Sequence, residues 1–300
     1  MEFFPAWAKV NLGLAVREKR PDGYHNVRMV MQTVSLADRI GLEPQAEGIS
    51  LQVTGAALPA GPENLAWRAA HRLMAEYKIP GGVSIELEKH IPVAAGLAGG
   101  SADAAAVLYG LNRLFSLGLS EAELGRLALE LGSDVPFALL GGTALAEGRG
   151  EVLTPLPPLA PCYLVLACPE QAVATAWAYR AFDERPEAGT DIAQLAAAVR
   201  CGDLQAVAAR LGNNFESVVA ARYPVITELK ETFLALGALG ASLSGSGPTV
   251  FGLFADRIQA ENAARRLGKR VRTFVTLPVT AGAGTFPREA VNVWCASPLT

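Results

Sequence analysis

Apolar and polar residues alternate along 6–16 (A-W-A-K-V-N-L-G-L-A-V), which predicts a strand with Val10, Leu12 and Leu14 on one side. Lys9 and Asn11 then share the opposite face. A second strand is predicted over 33–42. The period changes after Asn64, where apolar residues at 65, 66, 69, 70, 73, 74 and 77 form one helical stripe. Alternation returns with Val83, Ile85 and Leu87 against Ser84, Glu86 and Glu88. Helices are predicted over 102–115 and from 121 to about 131, the latter opened by a Ser120/Glu123 capping box. Gly141 and Gly142 turn the chain into another strand. Past the prolines of 154–161 come a strand at 163–167, a helix from Val173, and helical patterns near 191–199, 203–211 and 224–237. A strand at 249–254, a helix at 256–268 and a strand at 272–278 follow. The proline-rich link at 154–161 in this order is the best domain boundary. Residues 280–300 match no pattern and are expected to be either a flexible tail or a local addition.

Composition narrows the function. With 300 residues, 51% of them hydrophobic, the chain can bury a large core. A net charge of −3 and scattered Lys and Arg offer no basic field for nucleic acid or an acidic membrane. The N-terminus shows no charged region followed by an apolar core, and no apolar run approaches the ~20 residues needed to span a bilayer. Cys162, Cys168, Cys201 and Cys295 form no paired motif, and buried free thiols are expected. These features point to a cytoplasmic protein.

The chemistry concentrates where the strand ending at Glu88 runs into K-H-I-P-V-A-A-G-L-A-G-G-S-A-D-A-A-A, residues 89–106. Strand, glycine loop and helix N-terminus in that order make an anion site: glycines turn N–H groups outward, and the helix adds its unpaired donors and positive dipole end. No Lys-Ser/Thr follows the glycines and no G-x-G-x-x-G opens the turn, so neither the Walker A loop nor the dinucleotide fingerprint is present. Elsewhere, Pro21-Asp22-Gly23 forms a turn before Tyr24 and His25. In Gly132-Ser133-Asp134-Val135-Pro136-Phe137, local rules make Ser133 or Asp134 a helix cap. Ser244-Gly245-Ser246-Gly247-Pro248-Thr249 is a second glycine-rich turn. Three histidines (His25, His71, His90) and scattered carboxylates give no metal-ligand spacing, so no dedicated metal cage is expected.

Pro92, Gly96, Leu97, Ala98, Gly99, Gly100, Ser101 and Ala102 resemble, position by position, the phosphate loop of the GHMP kinases (galactose, homoserine, mevalonate and phosphomevalonate kinases). Ala8-Lys9-Val10-Asn11-Leu12 is similar to the family's first strand, 133–137 to its S/A-D-V/I-P-F segment, and 244–251 to its third motif. The resemblance spans roughly residues 6–278. It implies an α+β chain of two domains, a ribosomal-protein-S5-like N-terminal domain over 1–155 and a ferredoxin-like C-terminal domain over 156–279, with a site in the cleft. The arrangement Arg20-Pro21-Asp22-Gly23-Tyr24-His25 resembles one branch, whose acceptor is a cytidine diphosphate derivative of a small alcohol.

From that resemblance follow the roles. Asp134 would be the base toward the acceptor hydroxyl and Lys9 the cation beside it. ATP would lie on Lys89, Pro92, Val93, Ala94, Ala95, Gly96, Leu97, Ala98, Gly99, Gly100, Ser101 and Ala102, with Ser244, Gly245, Ser246 and Gly247 opposite. Asn64 has two equal assignments, helix cap or adenine contact. Asn11, Tyr24, His25, Thr175 and Tyr179 would meet the cytidine substrate, with Tyr179 equally readable as a core aromatic. Mg²⁺ would accompany ATP and keep several waters. Most of the branch carries Gly-Leu-Gly-Gly-Gly-Ser-Ser/Thr, so Ala98 adds a methyl to the loop and Ala102 removes a hydroxyl. Another GHMP kinase of the homoserine or phosphomevalonate type, or a non-catalytic nucleotide binder, would lack a reason for Tyr24-His25 or for Lys9 with Asp134. The expected state is a monomer or weak homodimer.

Overall fold

A computed structural model describes residues 1–187 and 189–285. The first half contains β1 (Glu2–Lys19), β2 (His25–Gln45), β3 (Gly48–Thr54), α1 (Leu65–Glu76), β4 (Gly82–Glu88), α2 (Gly99–Leu114), α3 (Glu121–Leu131), α4 (Val135–Leu140), β5 (Thr143–Glu147) and β6 (Val152–Leu156). The second contains β7 (Tyr163–Cys168), α5 (Thr175–Glu184), α6 (Ile192–Arg200), α7 (Leu204–Ala208), β8 (Gly212–Asn213), α8 (Glu216–Arg222), α9 (Val225–Ala235), β9 (Gly240–Leu243), β10 (Val250–Phe254), α10 (Arg257–Leu267) and β11 (Arg272–Thr276).

One sheet runs β3-β4-β2-β1-β8, with β5 joining β2 and β6 at its side; the other is a four-stranded antiparallel sheet, β11-β7-β10-β9. The period-two rule sorts residues between cores. In β7, Leu164 and Leu166 enter a core shared with Ala8, Val10 and Leu12 of β1, whereas Val165 and Ala167 face a second core with Phe233, Phe254 and Ala260. The two sheets are therefore joined through apolar contact, and β1 is buried on both faces from Phe4 to Val16. A third core packs α1, α2 and α3 on β2 and β4.

Differences from the sequence reading have physical reasons. The first two strands extend well beyond the alternating stretch, because both faces of β1 are covered and alternation blurs there. α2 begins at Gly99, so Gly99 and Gly100 are its first turn and not loop residues. β3 carries a clean alternation of Ile49, Leu51 and Val53 that the sequence reading omits, whereas two-residue β8 and short α8 give weak periodic signals. Residues 154–156 of the proline-rich link belong to β6. The segment after 279 begins as integral structure: Ala283 N–H donates to Ala138 O (2.8 Å), Gly284 N–H to Pro5 O (3.0 Å), and Trp7 Nε1 to Thr285 O (3.1 Å). Cys162 and Cys168 are buried free thiols, but Cys201 at the end of α6 is exposed. Burial pushes their thiols up, to about 12 for Cys162 and about 11 for Cys168. Cys295 lies outside the described residues.

Below the start of α2 lies a buried ionic cluster. Lys89 Nζ donates to Asp38 and, at 2.7 Å, to Asp103 Oδ2. Asp38 Oδ1 accepts the N–H groups of His90 (2.5 Å) and Ile91 (2.8 Å), fixing the chain as it enters the glycine loop. Burial pulls the Lys89 ammonium pKa down, but the two carboxylates override this and hold it above its ordinary value. Burial, then the Asp38 charge, pushes Asp103 well above the usual carboxylate range. The unfolded chain thus loses that proton at lower pH than the folded one, so this group lowers stability as pH rises through and above the ordinary carboxylate range. Lys89→Met leaves two carboxylates buried without their cation and is expected to cost about 3–5 kcal/mol in a urea titration. Asp103→Asn keeps an oxygen acceptor and is expected to cost far less and to flatten the pH slope. Equal losses in the two variants would contradict this account of the cluster.

Candidate active site

The first glycine turn and the second are pressed together. Gly96 has φ +78°, and a Cβ there would lie 2.2 Å from Ser244 O, so only glycine fits. Ser244 Oγ donates to Gly96 O (2.9 Å) and accepts the Asn11 N–H (3.3 Å). Lys9 N–H donates to Leu97 O (3.1 Å), and Thr249 N–H to Ala95 O (3.3 Å). Two glycine turns and β1 are thereby locked into one unit at the junction of the sheets.

The register of β1 on β2 slips between Trp7 and Lys9 and again between Asn11 and Gly13. Such irregularities re-aim side chains, and they bracket the two polar residues. Ala8, Val10 and Leu12 face the inter-sheet core; Lys9 and Asn11 line a cleft of about 960 Å³. Lys9 Nζ donates to Asn11 Oδ1 (2.6 Å) and stands 3.8 Å from Asp134 Oδ2. Its side chain is 8% exposed, so a nearly buried ammonium has one hydrogen bond and one longer-range counter-charge. That is an incomplete set for a buried cation, and an anion entering the cleft completes it.

Asp134 occupies the cap position of α4, yet its side chain makes no capping bond. The carboxylate is instead free beside Lys9. Asn64, by contrast, does cap: its Oδ1 accepts the Ala66 N–H (3.0 Å), and Nδ2 donates to Pro59 O (2.9 Å), while the residue also lines the cleft. Ala98 has φ +56°, a left-handed geometry costing about 1–2 kcal/mol for a residue with a Cβ, which is the physical reason for glycine at that position in related loops.

Pro92, Val93, Ala94, Ala95, Gly96, Ala98, Gly99, Gly100 and Ser101 all line the cleft, as do Gly245 and Ser246. Leu97 and Ala102 are buried in the cores, Ser244 holds Gly96, and Gly247 is buried behind the second turn. The Ala102 methyl faces packing and not the cleft. Lys89 reaches the lining, but its ammonium is engaged by Asp38 and Asp103.

Tyr24, His25, Thr175 and Tyr179 line the cleft as well. Tyr24 is exposed, with the Arg149 guanidinium 5.0 Å from its ring centroid. The His25 ring stacks on Tyr179 at 4.9 Å and 20°, and Tyr179 meets Phe215 edge-on at 4.8 Å. Burial, with the Asp134 charge adding, pushes the Tyr179 phenol up to about 12. Thr175 Oγ1 and Ser246 Oγ are hydrogen-bonded at 3.0 Å, joining the start of α5 to the second glycine turn. Sequence reasoning missed Asp183, Arg149, Asp38 and Asp103 here. Only Asp103, a lone charge in an alanine run, left a visible signal.

Comparison with known proteins identifies the family. The family model described as GHMP kinases N terminal domain matches residues 64–142, and that described as GHMP kinases C terminal matches residues 193–273. The chain is 52% identical over 264 residues to the 4-diphosphocytidyl-2-C-methyl-D-erythritol kinase of Pelotomaculum thermopropionicum, covering 87% of this chain and 92% of that one. It is 49% identical over 267 residues to the protein of the same name from Moorella thermoacetica, covering 88% and 93%. A crystal structure of 4-(cytidine 5'-diphospho)-2C-methyl-D-erythritol kinase superposes with a TM-score of 0.80 at 39% identity, over 93% of this chain and all of that one. On this fold and at these identities, the chain belongs to the GHMP kinases, on the branch of the 4-diphosphocytidyl-2-C-methyl-D-erythritol kinases.

Proposed function

We propose that the protein transfers the γ-phosphate of ATP to the 2-hydroxyl of 4-diphosphocytidyl-2-C-methyl-D-erythritol, giving ADP and the 2-phosphate. The observation that carries this reading is the Lys9–Asp134 pair, 3.8 Å apart, in the cleft that the glycine loop and the Tyr24-His25 end also line. Phosphoryl transfer asks little covalent work of a protein; it needs alignment and an offset for charge on the phosphate oxygens. The N–H groups at the start of α2 supply fixed donors for the phosphates. Lys9, short of hydrogen-bond acceptors, offsets charge at the transferring group. Asp134 accepts the hydrogen bond of the acceptor hydroxyl, orients its oxygen and takes its proton. In a loose transition state that proton moves late, as the oxygen–phosphorus bond forms and the bond to ADP breaks.

Among the described residues, no group of three His, Cys, Asp or Glu side chains could hold a metal by itself. Ser101 and Asp134 line the cleft as hard oxygen donors, a sparse set that suits a magnesium ion arriving with ATP and keeping waters and phosphate oxygens as its other ligands. Bound there, it would supply charge neutralisation to the phosphates. No described helix is long and apolar enough to cross a membrane, and we place the enzyme in the cytoplasm, acting as a monomer or weak homodimer.

Asp134→Ala and Lys9→Ala are each expected to lower kcat by roughly 10²–10⁴-fold while ATP affinity stays within a few-fold, measured by coupled ADP release and calorimetry. Near-normal turnover of the Asp134 variant would contradict its role as base. Tyr24→Ala and His25→Ala should raise KM for the cytidine substrate by roughly 5- to 100-fold, the range expected for a lost stacking or base contact, with KM for ATP unchanged. A rise confined to KM for ATP would reverse the assignment of the two ends of the cleft.

A further inference from the structure

We infer that Asp183 is a positioning residue that fixes the tautomer and orientation of His25 and thereby selects cytosine over uracil; this rests on the reading above. Asp183 lies on α5, in the second half of the chain, whereas His25 opens β2 in the first. His25 Nε2 and Asp183 Oδ1 are 2.7 Å apart, and the other carboxylate oxygen accepts from Lys19 Nζ at 2.9 Å. A carboxylate accepts and does not donate, so the proton resides on Nε2. In the neutral imidazole that leaves Nδ1 as the acceptor. The Lys19 bond, and after it His25, hold the Asp183 carboxyl below its ordinary range despite some opposing burial, so the acceptor stays ionised at neutral pH.

The consequence falls on Nδ1. It carries a lone pair, and it has no protein hydrogen-bond partner among the described residues. His25 is 7% exposed, lines the cleft, and is held face to face with Tyr179. Ring plane and tautomer are thus both set before any ligand arrives. An acceptor nitrogen in that position matches the exocyclic amine of cytosine. Uracil presents a carbonyl oxygen at the same place, and two acceptors facing one another leave both unpaired, a buried polar mismatch. Because donor and orienting carboxylate come from different halves of the chain, this end of the cleft is complete only when both halves are seated.

The test compares Asp183→Ala, Asp183→Asn and Lys19→Met in the full-length enzyme, using the cytidine substrate, its uridine counterpart, and ¹⁵N NMR of the His25 imidazole. Asp183→Ala should raise KM for the cytidine substrate about tenfold or more, with kcat and KM for ATP within about threefold, and narrow the cytidine-over-uridine preference. Its His25 signals should shift from the Nε2–H form to a tautomer mixture. Asp183→Asn retains an oxygen acceptor and should restore most of the Nε2–H population and part of the KM. Lys19→Met keeps the carboxylate on His25 and should leave KM within about threefold of the parent. Unchanged KM and an unchanged Nε2–H signal in Asp183→Ala would overturn the inference. So would equal damage from Lys19→Met, which would make the pair a simple latch between the halves. A parent enzyme that does not turn over the cytidine substrate at all would instead contradict the proposed function.

Discussion

The close approach of Gly96 to Ser244 is the constraint on which the site depends. The two glycine turns come from opposite halves of the chain, and their backbones meet where no Cβ would fit. One serine hydroxyl then ties the first turn to the second and to β1. With that junction made, Lys9 lies one residue from a strand irregularity and beside the glycine loop, and α2 starts with its donors facing the cleft. Apolar burial between the sheets supplies cohesion, but it is non-directional. The glycine contact supplies the register.

Two nearly buried lysines show how the same residue serves two purposes. Lys89 is surrounded by more negative charge than it carries, with two carboxylates within bonding distance. It has nothing left for a ligand and braces the approach to the loop. Lys9 is the reverse case, with one amide oxygen and a carboxylate at 3.8 Å. Burial without full pairing is costly for a resting protein. Here the deficit lies in the cleft, where the phosphate group of the proposed reaction would relieve it.

Much of this was legible in the sequence because it depends on local chemistry. The capping box at Ser120, the helical stripe of α1 and the alternation of β4 follow from short-range rules, and the structure contains all three. The glycine-rich motifs were readable since glycine marks positions where backbone must turn or touch. What escaped notice was tertiary. Asp183 sits on an exposed helical face, and nothing near it in the chain announces His25 as its partner 158 residues away. Asp38 looks like an ordinary strand residue until Lys89 folds over it. The bulges around Lys9 and Asn11 depend on β2, so β1 alone does not reveal them. Residues 279–285 carry no periodic pattern since most of their hydrogen bonds go to distant Thr33, Ala138, Pro5 and Trp7, and within the segment Thr285 alone turns back, onto Gly282 O.

The central claim is spatial: one cleft brings a nucleotide's terminal phosphate and an alcohol oxygen together between Lys9 and Asp134. A crystal structure with a non-hydrolysable ATP analogue and the cytidine substrate bound together measures it directly. The account predicts phosphate oxygens on the N–H groups at the start of α2 and on Lys9, with the 2-hydroxyl within about 3.2 Å of an Asp134 carboxylate oxygen. A 2-hydroxyl far outside hydrogen-bond reach of Asp134, or a γ-phosphate away from the glycine turn, would contradict it.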